Sequence, residues 1–380
     1  MRIALFTDSF YPSIGGTENA VYKLASALSK EHEVAVFAPD GHNKSNKSFP
    51  FKVFRAKSIG VTKNDFWAFP HGSKKMKYSL EEFNPDVVHS HTMGMMASFA
   101  NAYAKKKGIP SICTVHTKFR HCYREDLKSK VLAELLLKHV IRRANKADRV
   151  CSVSKSMIDE LKSYGLKKRV TVIRNGNQKP TILPEKPDGD CFKILCLGAI
   201  TEYKNIRFSL GAVKLLKEKG VNFRLELIGR GRIKKFQKYA QRIGVSDCVD
   251  FVGAITNTEE LNEKYRTADL LLFTSLCDSD GLVVLEAGCM GTPSLVLEGT
   301  AGAERITDGV NGFVEQNSLD MVANRLKELS ENKDAIKRVG KNAHTTYQTW
   351  EEIANSYCKV YAEEIEKSKS KNQCKKKRSL

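Results

Sequence analysis

The residues of this 380-residue chain whose types and spacing could do chemistry gather where strands would give way to helices. The richest stretch is Ser275-Leu276-Cys277-Asp278-Ser279-Asp280-Gly281-Leu282, with Glu286 four residues on and Gly291-Thr292-Pro293 beyond it. Asp278 and Glu286 are carboxylates that can accept paired hydrogen bonds from vicinal hydroxyls of a sugar or ribose. Gly281 opens a helix whose free amides suit phosphate or sugar oxygens. Asp278-Ser279-Asp280 imitates the DxD of metal-dependent transferases, but nothing around it supplies a metal-oriented context, so no metal site is assigned. Lys204, in Gly198-Ala199-Ile200-Thr201-Glu202-Tyr203-Lys204-Asn205, could neutralise a diphosphate. By spacing alone, an exposed loop lysine is the simpler account. His89, His91 and His116 follow two predicted strands, where an imidazole can donate to a sugar hydroxyl or meet developing charge. Gly15 and Gly16 let backbone approach a ligand closely, with Thr17 expected to cap the next helix. A tight turn explains that pair as well; it is neither a dinucleotide fingerprint nor a P-loop.

These positions need a scaffold that alternates strands and helices. Strands are predicted at 3–6, 34–38, 86–89, 111–115, 149–153 and 171–173, with a helix carrying Val21, Leu24, Ala25 and Leu28 on one face. The segment 180–190 holds three prolines and a glycine and reads as a linker. The pattern restarts with strands at 193–197, 225–228, 249–252, 270–274 and 294–296. The expected fold is therefore α/β, two Rossmann-like doubly wound domains facing each other across a cleft, ligands sitting at the strand C-terminal edges. The boundaries expected are 1–180, a linker at 181–190, and 191–348. A final helix over 349–366, with Trp350, Ile353, Ala354, Tyr357 and Tyr361 as its apolar stripe, would brace the first domain, and 367–380 would be a disordered basic tail.

Composition narrows the classes. Hydrophobic residues make up 41% and charged residues 28%, as in an ordinary globular protein. No apolar run is long enough for a signal peptide or a membrane span, and ten scattered cysteines without a CxxC pair read as reduced thiols of a cytoplasmic protein. The net charge of +20 is localised: residues 101–180 hold 20 basic and 6 acidic residues, and 367–380 hold seven basic and none acidic. Such a face suits anionic lipid, anionic glycan or nucleic acid, or is simply a solvated surface. Downstream of His116, Lys118, Arg120, Lys128, Lys130 and Lys138 interleave with Leu127, Val131 and Leu135, a mixture suited to an anionic membrane surface or to an ordinary core helix with solvated lysines.

Taken in order, these motifs resemble retaining glycosyltransferase family 4 (glycosyl transferases group 1), of GT-B fold. The resemblance spans nearly the whole chain and includes Pro85-Asp86-Val87-Val88-His89, Thr114-Val115-His116, Val172-Ile173-Arg174-Asn175-Gly176, Ala268-Asp269 and Asp308-Gly309-Val310-Asn311-Gly312. It implies a hexosyl transfer from a nucleotide sugar, a UDP-sugar foremost, to a glycan or lipid-linked acceptor in cell-envelope synthesis, without metal or other cofactor. It implies that Gly15 and Gly16 lie near the donor phosphates and His116 touches the transferred sugar. Lys204 would bind the diphosphate, Glu286 the ribose hydroxyls, and Asp278, with the Gly281-Leu282 backbone, the sugar ring. It also implies retention by same-face attack, the leaving phosphate taking the acceptor proton. Two residues depart from the family: Asp278 stands where glutamate is usual, and Ala199 where arginine is usual, leaving Arg230 or Arg232 to compensate. No nucleic acid is expected as partner. A GT-B epimerase or phosphorylase, and a non-enzymatic polyanion-binding protein, are the alternatives; nothing in polyanion binding calls for the two acids.

Overall fold

The computed structural model describes every residue except 14, 41–47, 61–65, 119–128, 184–188 and 379–380. Two compact units emerge, one made of Met1–Asn175 and Trp350–Leu380, the other of Gly176–Thr349. The division falls five residues before the proline-rich segment. Leu183 belongs with the second unit, its side chain lying against Gly291.

The first unit is built on β1 (Arg2–Phe6), β2 (Glu33–Pro39), β3 (Lys52–Ala56), a small antiparallel pair β4 (Ser58–Gly60) and β5 (Phe66–Ala68), then β6 (Val87–Ser90), β7 (Ser111–Val115), β8 (Arg149–Ser152) and β9 (Val170–Val172). Seven of these form one parallel sheet in the order β3-β2-β1-β6-β7-β8-β9. The order reverses between β1 and β6, where Leu5 pairs with His89 and Phe6 with Ser90. That switch point is where doubly wound sheets open a crevice at their strand C-termini. The helices are α1 (Gly16–Leu28), α2 (Lys74–Phe83), α3 (Met95–Lys107), α4 (Lys130–Ala144) and α5 (Ser156–Ser163).

Side-chain alternation along β1 explains why both faces are covered. Ile3 and Leu5 point into a cluster with Val21, Leu24 and Leu28 of α1, while Ala4 and Phe6 point into another with Met76, Leu80, Met96 and Phe99. Each large side chain so buried contributes about 1.5–3 kcal/mol. The first cluster is completed by Trp350, Ile353, Tyr357 and Tyr361, which return from the far end of the chain. They lie on a helix that runs from Trp350 to Arg378, so residues 367–378 are helical where a disordered tail was expected. The segment holds no glycine or proline, and lysine is a good helix former. Ser368 Oγ and Asn372 Nδ2 also donate to the Gly108 carbonyl at 2.7 and 2.9 Å, and Arg149 donates to Glu364 at 2.8 and 3.0 Å.

The second unit repeats the plan with β10 (Phe192–Leu197), β11 (Phe223–Ile228), β12 (Val249–Gly253), β13 (Leu270–Phe273), β14 (Ser294–Leu297) and β15 (Phe313–Glu315), all parallel in the order β12-β11-β10-β13-β14-β15. Its helices are α6 (Ile206–Glu218), α7 (Ile233–Arg242), α8 (Thr258–Thr267), α9 (Leu282–Cys289), α10 (Leu319–Glu331) and α11 (Lys333–Thr346); Trp350–Arg378 is α12. Here the switch point lies between β10 and β13, which places the ends of those strands, residues 198–205 and 274–281, side by side.

Candidate functional site

Each unit carries a cluster of polar residues at the C-terminal edge of its sheet. In the second unit the loop after β10 is fastened to the end of β13. Asn205, in the left-handed conformation at φ 60°, donates from Nδ2 to the Thr274 carbonyl at 3.2 Å, and Ser209 Oγ lies 2.7 Å from Thr274 Oγ1. This fixes Lys204 beside Asp278, with Nζ 2.5 Å from Oδ2. The other oxygen of Asp278 accepts the backbone amides of Asp280 and Gly281 at 3.1 and 2.7 Å. Burial alone would raise the Asp278 carboxyl, but the Lys204 charge, its hydrogen bond and the two amides outweigh it and hold the group below the ordinary carboxylate value. The shorter acid thus closes its own turn. A glutamate would carry its carboxylate one methylene further from those amides.

Gly281 follows at φ 68°, the left-handed region, and begins the turn into α9. A Cβ there would stand 2.9 Å from Gly302 Cα. Gly281→Ala is expected to lose about 1–3 kcal/mol of stability to backbone strain and this contact, read as a lower denaturation midpoint. The buried Asp280 carboxylate is taken by Arg305, whose Nε also donates to the Asp280 carbonyl at 2.7 Å. Among the described residues no group of three or more His, Cys, Asp and Glu side chains could hold a metal ion.

Glu286 sits on α9, half-buried, and its Oε2 accepts the hydroxyl of Tyr265 at 2.8 Å. Tyr265 is fully buried on α8; burial, then the neighbouring carboxylate, keep its phenol protonated far above the usual range. Its carbonyl in turn accepts Thr292 Oγ1 at 2.5 Å, from the Gly291-Thr292-Pro293 segment. Tyr265 and Arg305 were not singled out in the sequence. Tyr265 stands three residues before the Ala268-Asp269 pair that was, whereas nothing local marks Arg305.

Arg230 lies on the loop after β11, which runs beside Ala199. The amide of Ile200 donates to the Arg230 carbonyl at 2.8 Å, and Arg232 donates back to Ile200 at 2.9 Å. This approach needs Gly229 and Gly231, at φ 154° and 147°, because a Cβ on either would collide with the carbonyl of Gly198 or Ile200. Arg230 therefore lies on backbone that adjoins Ala199.

In the first unit, three imidazoles line the ends of β6 and β7. The His89 and His91 rings pack at a tilt with centroids 4.1 Å apart, and His91 Nδ1 meets His116 Nε2 at 3.0 Å. Burial pushes His89 down to about 3, His116 to about 4 and His91 well below the usual imidazole value, so all three are neutral at pH 7. Gly15 precedes α1 in extended conformation and Gly16 is its first residue; Thr17 falls inside the first turn and does not cap. Glu18 instead accepts Ser9 Oγ at 2.5 Å, and Asp8 accepts the amides of Gly94 and Met96 at 2.9 Å each.

The basic surface is partly described. Arg120 and Lys128 lie outside the described residues, as does the side chain of Lys130, and Lys118 is half-buried. On α4, Ala133, Leu137, Val140, Ile141 and Ala144 face the core, while Val131, Leu132 and Leu135 are 72%, 46% and 59% exposed beside exposed Lys138 and Arg142. Among the described residues no helix is long and apolar enough to cross a membrane.

Two parallel doubly wound units of this kind are the GT-B architecture, and solved structures share it. Sucrose-phosphate synthase from Thermosynechococcus elongatus superposes with a TM-score of 0.74 at 18% identity, covering 95% of this chain and 98% of that one. Anabaena HepE in complex with UDP superposes at 0.73 and 16% identity, covering 96% and 100%. Residues 14–177 match Glycosyltransferase Family 4 and residues 178–346 match Glycosyl transferases group 1, and the chain belongs to this glycosyltransferase family. Among curated proteins it is 25% identical over 375 residues to alpha-monoglucosyldiacylglycerol synthase of Streptococcus pneumoniae, covering 93% of this chain and 82% of that protein. It is 24% identical to the Acholeplasma laidlawii enzyme of the same name, covering 98% and 99%.

Proposed function

We propose that this glycosyltransferase moves a hexosyl group, with retention, from a UDP-sugar to a lipid-linked or glycan acceptor of the cell envelope. The observation that carries the reading is the second unit's cluster: Lys204 held by Asp278, the Gly281-Leu282 turn, and Glu286 held by Tyr265. Glu286 would accept the ribose hydroxyls, and Lys204, aided by Arg230, would take the diphosphate. The Leu282 amide would meet the sugar ring, the Gly281 amide being held by Asp278, and His116 would donate to the ring. Gly15 and Gly16 would bring backbone amides to the phosphates. In the reaction the bond from the anomeric carbon to the leaving phosphate breaks. The acceptor oxygen bonds the same carbon on the same face, and its proton passes to that phosphate. The leaving charge falls to a lysine and an arginine, and Asp280 is committed to Arg305, so the reading requires no metal.

Support for a lipid acceptor comes from the relatives named above and from the apolar and basic face of α4, which suits peripheral binding at the inner face of the plasma membrane. Leu135→Glu with Lys138→Glu should cut flotation with vesicles containing phosphatidylglycerol at least severalfold. Unchanged flotation excludes this face. The donor is tested by a thermal-shift screen of UDP-glucose, UDP-galactose, UDP-N-acetylglucosamine and GDP-mannose in EDTA, because a ligand of the folded state raises its midpoint. A UDP-sugar should give the largest shift; preference for GDP-mannose overturns the nucleotide assignment.

A further inference from the structure

The histidine cluster fixes more than proximity. His91 is wholly buried, and its Nε2 meets no hydrogen-bond partner among the described residues, while its Nδ1 is engaged with His116 Nε2 at 3.0 Å. Its backbone amide donates to the Phe6 carbonyl at 2.8 Å, and the tilted His89 ring packs against its own with centroids 4.1 Å apart. His89 is itself pinned at both nitrogens, Nδ1 to the Tyr361 hydroxyl at 2.7 Å and Nε2 to Thr114 Oγ1 at 2.8 Å.

One proton is shared out between two arrangements. If His116 donates from Nε2, His91 must carry its own proton on Nε2, which is then a buried N–H that no described residue receives. If His91 donates from Nδ1, its Nε2 is a bare lone pair. Both leave one atom unsatisfied, but an orphaned buried N–H is the rarer and costlier of the two. Burial keeps both rings neutral, so neither can carry a second proton at pH 7.

We propose that His91 is a positioning residue whose Nδ1–H donates to His116 Nε2, leaving His116 with its proton on Nδ1 and fixing it as a hydrogen-bond donor toward the substrate. His116 then offers an N–H to a sugar oxygen and has no free lone pair to act as a base. The buried His91 ring enforces this through its Nδ1 contact, because free histidine in water does not hold that tautomer by preference. The functional half of this inference rests on the reading of His116 as the residue that meets the transferred sugar. The tautomer half does not.

The experiment keeps the two apart. In the full-length protein labelled with [15N]histidine, two-bond proton–nitrogen spectra report which nitrogen of each of the nine histidines is protonated. His91→Asn and His116→Gln spectra supply the assignments. His91 and His116 should each show a protonated Nδ1 and a bare Nε2 from pH 6 to 8, and His91→Leu should move His116 to a protonated Nε2. A protonated Nε2 on His116 in the wild type overturns the proposal, whatever the protein's activity. With the tautomer established, UDP release from UDP-glucose separates the roles. His91→Asn, which keeps a donor near Nδ1, should stay within about threefold of wild type, and His91→Leu, of similar volume, should lose about tenfold in kcat/KM, worth one hydrogen bond. Equal losses in both, at equal thermal midpoints, show that His91 acts through packing alone. If the wild type releases no UDP while the spectra are as expected, the substrate reading fails and the tautomer assignment stands.

Discussion

Glu286→Ala is expected to lower kcat/KM about 10²–10⁴-fold, chiefly by raising KM. Two hydrogen bonds from ribose hydroxyls to a carboxylate are each worth about 1.5–3 kcal/mol. Because the ribose does not react, these contacts are equal in ground and transition states, so their loss falls on binding. The structure adds a second consequence. Tyr265 is fully buried and donates to Glu286 Oε2 at 2.8 Å, so the alanine variant leaves a phenol hydroxyl without its acceptor. That costs about 1–3 kcal/mol and should appear as a lower denaturation midpoint. Glu286→Gln keeps an acceptor for Tyr265 and should recover the midpoint while recovering only part of the activity. Steady-state kinetics beside thermal denaturation of the two variants separates binding from support of the fold.

Lys204→Met should have an effect as large and of a different kind. In the proposed reaction the Lys204 ammonium would meet charge growing on the leaving diphosphate, so its loss should fall mainly on kcat, about 10²–10³-fold. It also leaves Asp278 without its counter-ion, and only 18% of that side chain is exposed. Removing one member of such a pair typically costs about 3–5 kcal/mol. The pH dependence follows from the direction of the Asp278 shift. Its carboxyl is held below the ordinary aspartate value, so the pair's stabilisation is complete above that value and is lost as pH falls through the folded-state value. In Lys204→Met the carboxyl rises toward its unfolded value, so the Asp278 share of this acid-side loss should shrink. Urea midpoints from pH 3 to 7 read the difference. Asp278→Asn should be milder, since an amide oxygen still accepts from Asp280 and Gly281.

Much of the scaffold was written in local pattern. Strands such as Glu33–Pro39 and Leu270–Phe273 are apolar runs buried on both faces of a parallel sheet, and their positions agree with the sequence reading to within a residue or two. Lys52–Ala56 and Phe313–Glu315 were not anticipated; each lies at a sheet edge, is short, and carries a charged residue that breaks the apolar run. The helical course of residues 367–378 was hidden by charge density. Lysine-rich sequence reads as solvated chain until the tertiary bonds to Gly108 are seen.

The site was legible where chemistry sits next to a turn and illegible where it depends on packing. Lys204, Asp278, Gly281 and Glu286 are marked by residue type at strand ends, and the second unit brings Lys204 onto Asp278. That Asp278 spends one oxygen on its own turn and the other on Lys204 could not be read from spacing. Nor could the commitment of Asp280 to Arg305, 25 residues away, or of Glu286 to Tyr265, 21 residues away. His89, by contrast, looked like a ligand-facing histidine and is an anchor, closed between Tyr361 and Thr114.

The central claim is a metal-free transfer that depends on the second unit's acid and lysine. Its most direct measurement is release of UDP from UDP-sugars in excess EDTA, with and without vesicles carrying diacylglycerol, comparing wild type with Glu286→Ala and Lys204→Met. The account predicts vesicle-stimulated UDP release by the wild type, unaffected by EDTA, with an α-linked glycolipid formed and both variants reduced at least about 10²-fold. Turnover that disappears in EDTA and returns with Mg²⁺, or that survives in both variants, would contradict it.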